Sequence, residues 1–121
     1  DIPESDGIVP VPLTKKGLSE RGFNQTVLIS RVLSKELGIP LYIDALAKKR
    51  ETPPQVGLSA KERAKNLSKA FEAGGNVSAK RLILFDDVMT TGSTARECSR
   101  TLMMAGAKEV VVVTLARSAM I

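Results

Sequence analysis

Histidine is absent from this chain, cysteine occurs once, and aromatic residues make up only 3% of it. Without histidine there is no imidazole to serve as acid, base or metal ligand. A single cysteine excludes an intramolecular disulfide and any cysteine–histidine metal cluster, so Cys98 reads as a small packing residue within an expected helix. The scarcity of aromatics leaves no platform on which bases could stack, which weighs against single-strand nucleic-acid recognition. Apolar runs fall far short of the ~20 residues that cross a bilayer, and no signal-peptide pattern opens the chain. The expectation is a soluble, cytoplasmic protein with no membrane span.

What remains is enough for one domain, residues 1–121, able to bury roughly two-thirds of its unfolded surface without staples. Eighteen Lys and Arg against thirteen Asp and Glu give a net charge of +5, which suits an anionic ligand or a nucleic-acid surface equally.

The densest chemistry lies in residues 82–94, LILFDDVMTTGST. Leu82, Ile83, Leu84 and Phe85 show no polar alternation, as expected of a strand covered on both faces in a parallel sheet, and Asp86 and Asp87 mark its exit. Thr90, Thr91, Gly92, Ser93 and Thr94 then bring hydroxyls and backbone N–H groups to the start of a helix, whose unpaired donors and dipole favour an anion. Gly92 allows close approach of backbone to phosphate. The plainer alternative has the two aspartates solvating a strand end while Ser93 or Thr94 caps a helix. A receiver-domain acidic pocket is a poorer fit, because its acidic pair belongs on a first strand.

Two acids followed, after VM, by TTGST resemble the fingerprint of the type I phosphoribosyltransferases, which use 5-phosphoribosyl-1-pyrophosphate (PRPP). The resemblance makes Asp86 and Asp87 the ribose-binding, catalytic pair and Val88, Met89, Thr90, Thr91, Gly92, Ser93 and Thr94 the ribose and 5-phosphate loop. Such a loop would hold phosphate through charge-assisted bonds.

Along the rest of the chain, Ile8, Val9 and Val11 suggest a short strand running into Leu13, Thr14, Lys15, Lys16 and Gly17. This basic stretch sits where those enzymes carry a pyrophosphate loop, often with a strained non-proline cis peptide; its alternative is a solvated basic turn. Residues 24–37 read as a helix with an apolar stripe of Leu28, Ile29, Val32, Leu33 and Leu37 directed to the core, ended by Gly38 and Pro40. A strand over 41–46 follows. Residues 48–71 are basic, carry Pro53 and Pro54, and hold a capping box of Ser59 and Glu62 for a short helix to about Lys65. This segment reads as a mobile lid, with a solvated basic hairpin as its competitor. A turn region over 73–79 precedes the 82–85 strand. A helix from Ser93 to about Ala105, burying Cys98, Leu102 and Met103 or its neighbours and closed by Gly106, then leads to a second buried strand over 110–115. Residues 82–115 thus form a strand–helix–strand crossover, right-handed by rule.

In order along the chain, VPVPL at 9–13, ERGFNQ at 20–25, RETPPQVGLSAKERAKNL at 50–67 and LFDDVMTTGST at 84–94 resemble the phosphoribosyltransferase domain of the competence protein F (ComF) family. That family usually carries an amino-terminal zinc ribbon, whose paired cysteines do not occur in this sequence. The resemblance implies an α/β, Rossmann-like fold with a mainly parallel sheet flanked by helices and a mobile hood. It implies PRPP bound with Mg2+, which has no dedicated protein ligands beyond support from Asp86 and Asp87. Leu13, Thr14, Lys15, Lys16 and Arg50 would take pyrophosphate, and Gln55, Arg63 and Asn66 would act from the lid. The implied reaction is phosphoribosyl transfer to a nitrogen acceptor; the alternatives are a non-catalytic PRPP or nucleotide regulator and an accessory of DNA uptake that contacts DNA. A homodimer is compatible with the sequence, but nothing in it sets the oligomeric state.

Overall fold

In the computed structural model, which describes residues 4–55, 57–89 and 91–117, the chain runs through β1 (Gly7–Pro10), α1 (Lys15–Arg21), α2 (Gln25–Leu37), β2 (Leu46–Lys48), α3 (Ala60–Leu67), β3 (Phe71–Ala73), β4 (Arg81–Met89), α4 (Ser93–Met104) and β5 (Glu109–Arg117). The strand expected over 82–85 forms the middle of β4, which pairs in parallel with β1 on one side and β5 on the other. Because successive side chains of a strand point to opposite faces, Leu82 and Leu84 join one apolar cluster and Ile83 and Phe85 the other. All four are essentially removed from solvent, which is why the run is uninterrupted in the sequence.

One face is covered by α4, which contributes Ala95, Cys98 and Leu102 to a cluster that also holds Val9, Leu67, Phe71 and Val77. Met103, expected inside, points to solvent, since it lies one position beyond the buried stripe 95, 98, 102. Past the end of α4, Gly106 has φ +105°, and a Cβ there would press against Ser78 at 3.2 Å, so any side chain would be strained.

The other face carries α2. Asn24 caps this helix by accepting from the Thr26 N–H, and Gly38 ends it at φ +68°. Ile29 and Leu33 pack on Ile8, Ile83 and Phe85. The rest of the expected core stripe does not: Leu28 is 52% and Val32 60% exposed, with Leu37 exposed as well. Periodicity defines which way the apolar stripe faces, but this sheet covers only part of it. Strand β5 departs from expectation for a related reason. It ends the sheet among the described residues, so Leu115 remains 64% exposed.

The strand expected over 41–46 divides. Leu41 makes one parallel bridge to Ile8, residues Ile43–Ala45 form a 3-10 turn, and the chain then enters β2, which pairs antiparallel with β3. Tyr42 lies directly over Gly7, where a Cβ would overlap its ring, and Ala45 and Leu46 turn into the α4-side core. That demand for packing carries the chain away from the sheet edge.

The pairing of β2 with β3 closes the segment expected to be a lid into a flap, reinforced by the Lys49 N–H donating to the Ala70 carbonyl. Within it α3 has its full capping box: Ser59 Oγ accepts from the Glu62 N–H at 3.1 Å and Glu62 Oε1 from the Ser59 N–H at 3.0 Å. These bonds hold the Glu62 carboxyl below the usual carboxylate range.

Candidate functional site

The first wall of the site is built by the carboxyl end of β4 and the start of α4. Gly92, at φ +81°, is the cap residue of α4 and has no side chain with which to occupy the first-turn N–H groups. Thr91 Oγ1 accepts from the Ser93 N–H at 3.2 Å and donates to Ser93 Oγ at 3.0 Å, fixing the turn. Asp86, Val88, Met89, Thr91, Gly92 and Thr94 face a cavity of about 340 Å3, closed opposite by Thr52, Pro53, Pro54 and Gln55 from the flap. Of the loop residues expected here, Thr90 lies outside the described residues, and Ser93 is buried and, though bonded to Thr91, borders a small hollow beside α3 rather than this cavity.

The two aspartates diverge, because adjacent positions on a strand face opposite ways. Asp86 continues the face of Leu82 and Leu84 and enters the cavity. Asp87 continues the face of Ile83 and Phe85, where Thr26 Oγ1 of α2 donates to its Oδ1 at 3.1 Å. Burial, helped by the neighbouring Asp87 charge, pushes the Asp86 carboxyl up to about 6. Cys98, fully buried beneath, is pushed up by burial and by Asp86, so it is inert at neutral pH.

The shift of Asp86 has a measurable sign. Between 3.8 and about 6 the folded state binds more protons than the unfolded state, so Asp86 lowers stability as pH rises through that window, with the loss complete above it. The difference in unfolding free energy between Asp86→Asn and the unaltered, ligand-free protein is expected to grow from pH 4 to pH 7 in favour of the variant. A pH-independent difference in urea titrations would contradict the buried placement.

The remaining expected residues form two further groups. Leu13, Thr14, Lys15, Lys16 and Arg50 border a second cavity of about 480 Å3, joined there by Lys48 and Lys49. Lys15, Lys16 and Gly17, expected as a loop, are the first turn of α1, capped by Thr14, whose hydroxyl accepts from the Gly17 N–H and donates to Glu51. The capping hydroxyl satisfies the turn, and no cis peptide occurs among the described residues. Arg50 also donates to the carbonyls of Asn66 at 2.8 Å and Ser68 at 2.7 Å, so it ties the flap to the end of α3. The stretch 50–55 thereby runs from the basic cavity to the acidic one.

Gln55 reaches the first cavity, its amide donating to the Pro53 carbonyl while its buried Oε1 has no protein partner. Arg63 is not there. It donates to the Leu58 carbonyl and borders a small hollow with Ser93, Arg96 and Glu97, and Asn66 lines neither large cavity. Thr52, the prolines and Thr26 were not anticipated as site residues. Asn24, the cap of α2, carried a local signal for Thr26, since a cap accepts from a residue two further on.

Among the described residues, no group of three or more His, Cys, Asp and Glu converges on a point. Among the described residues Asp86 is the sole carboxylate lining the first cavity, beside the hydroxyls of Thr91 and Thr94. A hard cation that keeps its waters and is carried by ligand oxygens fits such a donor set; a protein-caged ion does not.

No protein-family model matches the chain. The chain is similar to competence protein F of Haemophilus influenzae, 41% identical over 120 residues that cover 97% of this chain and 52% of that protein. It is similar also to the DNA utilization protein YhgH of Escherichia coli K12, 39% identical over 93% of this chain and 50% of that one. Competence protein ComFC of Streptococcus pneumoniae is 32% identical over 90% of this chain and 47% of its own length. The chain thus spans about half the length of the curated relatives it matches. Among solved structures, glutamine PRPP amidotransferase of B. subtilis superposes with a TM-score of 0.64 and 25% identity over 93% of this chain and 22% of that one. A purine phosphoribosyltransferase of Pyrococcus horikoshii gives a TM-score of 0.58 over 93% of this chain and 61% of its own; at 21% identity it speaks to the fold alone.

Proposed function

The chain belongs to the competence protein F family and has the type I phosphoribosyltransferase fold, and from that premise we propose that it binds PRPP and transfers the 5-phosphoribosyl group to a nitrogen acceptor, releasing pyrophosphate. The observation that carries the reading is one cavity bounded by Asp86, by the Thr91–Gly92–Thr94 turn and by a helix N-terminus whose cap residue, Gly92, has no side chain, at the carboxyl end of a central parallel strand.

In this reading the 5-phosphate lies against the first turn of α4, where N–H groups and the hydroxyl of Thr94 donate to it. Asp86 and Asp87 accept from the ribose hydroxyls, and their negative charge steadies the positive charge that develops on the ribose as its bond to pyrophosphate breaks. Lys15, Lys16 and Arg50 in the neighbouring basic cavity balance the charge of the departing pyrophosphate. Mg2+, bound with PRPP, would neutralise phosphate charge, with Asp86 the residue placed to support it. The flap over 48–71 acts as the lid that keeps water from the reacting carbon, with Thr52, Pro53, Pro54 and Gln55 facing the cavity.

Arg63 supports the lid from behind by holding the turn at Leu58. Arg63→Ala is expected to weaken magnesium–PRPP binding about fivefold, the cost of one bond that orders the flap. Unchanged affinity would remove Arg63 from the binding machinery.

Calorimetric titration of magnesium–PRPP, followed by a nucleobase screen for pyrophosphate release, tests the whole reading. A second reading is favoured by the names of the relatives and by the cluster of Lys15, Lys16, Lys48, Lys49 and Arg50: an accessory of DNA uptake. DNA affinity falling steeply with salt, without PRPP binding, is the result that would favour it.

A further inference from the structure

We infer that Thr26 is a positioning residue for Asp87, and that the first turn of α2 exists in its present place to orient that carboxylate. This rests on the ribose-phosphate reading above and names how one half of its acidic pair is held.

Asp87 sits where β4 leaves the sheet, next to Asp86 at the strand's carboxyl edge but outside the lining of the main cavity, and an aspartate at such an exit would ordinarily turn among rotamers in water. Here it does not stand alone. Thr26, itself only 6% exposed, donates from Oγ1 to Asp87 Oδ1 at 3.1 Å, across 61 positions of sequence. A threonine in the first turn of a helix more often spends its hydroxyl on nearby backbone. This one is turned across to another element.

Thr26 is in turn fixed by Asn24, whose Oδ1 accepts from the Thr26 N–H at 2.9 Å and whose Nδ2 donates to the Val11 carbonyl at 3.4 Å. The Val11 N–H donates to the Phe85 carbonyl at 2.9 Å. The bonds therefore make a closed circuit that leaves β4 at Phe85, passes through Val11, Asn24 and Thr26, and returns to β4 at Asp87. On the far side, the Thr114 hydroxyl donates to the Ala116 carbonyl at 2.9 Å, so the carboxylate of Asp87 is held from α2 alone among these bonds. The chemistry suits the residue types: asparagine has both an acceptor and a donor for the two bonds it makes, and the threonine hydroxyl supplies the donor that the carboxylate needs.

The test compares Thr26→Val, which keeps the shape and removes the donor, with Thr26→Ser, which keeps the donor, each in the unaltered protein and in Asp87→Asn. Magnesium–PRPP affinity is expected to fall about tenfold in the valine variant and to return to within about threefold in the serine variant. In the Asp87→Asn background, the same valine change is expected to cost less than about twofold, because the partner it acts through is altered. Magnesium pyrophosphate, which has no ribose, should bind both Thr26 variants and the unaltered protein alike. Serine as poor as valine, or a full penalty persisting without Asp87, would overturn the inference in favour of simple packing. The carbon-13 carboxyl resonance of Asp87 in the ligand-free protein supplies a readout that does not depend on PRPP. It should move in Thr26→Val and stay in Thr26→Ser; no movement in the valine variant refutes the positioning role. Absence of PRPP binding by the unaltered protein would instead refute the ribose-phosphate reading, while the resonance would still decide the role of Thr26.

Discussion

Changing Asp86 and Asp87 together to asparagine is expected to abolish magnesium–PRPP binding in calorimetric titration, by more than about a hundredfold. A hydrogen bond to a charged group contributes about 1.5–3 kcal/mol, so losing the charged acceptors for two ribose hydroxyls removes about 3–6 kcal/mol. Asparagine keeps the size of each side chain. At Asp86 it also relieves the burial that pushes the carboxyl up to about 6, so loss of binding cannot be put down to loss of fold. The single variants should be unequal. Asp86 lines the cavity, whereas Asp87 is braced from the opposite face by Thr26, so Asp86→Asn alone is expected to show the greater loss. PRPP affinity left intact in the double variant would sink the ribose site.

The largest effect on stability is expected at Phe85, one residue before the acidic pair. Its ring is wholly buried among Ile8, Ile83, Ile29, Leu33 and Val113, with β1 and β4 below it and α2 above. Phe85→Ala removes the biggest fully buried side chain of the described residues and leaves a hole that the parallel sheet cannot close by collapsing. A loss of about 3–5 kcal/mol follows, against a total of about 5–15 kcal/mol for an ordinary domain. Urea titration measures it directly. A loss below about 1 kcal/mol would mean that the α2 face of the sheet is not a packed core.

Local signals in the sequence carried over into the structure wherever a single element decided the outcome. The uninterrupted run Leu82, Ile83, Leu84, Phe85 became the central strand, Ser59 and Glu62 formed their reciprocal cap, and Asn24 and Gly38 bounded α2. Signals failed where a neighbour decided. The stripe of α2 is partly bare because its periodicity says nothing about how many strands lie beneath, and β5 looks buried in the sequence although it has one partner strand among the described residues. Residues 41–46 have strand-like composition but are drawn apart by Tyr42 packing over Gly7 and Leu46 joining the other core. At the site, the loop of Thr91, Gly92 and Thr94 and its acid were legible from residue type and spacing. The divergence of Asp86 from Asp87 was present in the two-residue period of a strand, yet the brace from Thr26 was not, since the bond spans 61 positions.

That period gives β4 the character of a reading frame. Deleting one residue between Arg81 and Phe85 would do more than shorten the strand by ~3.3 Å. It would trade the faces of everything beyond the deletion, delivering Asp87 to the cavity and Asp86 toward α2, and would pit the leucines on one side against the phenylalanine on the other for the wrong layer. Compensation would need a second, opposite change before Met89, so this stretch should tolerate exchanges of apolar residues far better than any change in its length.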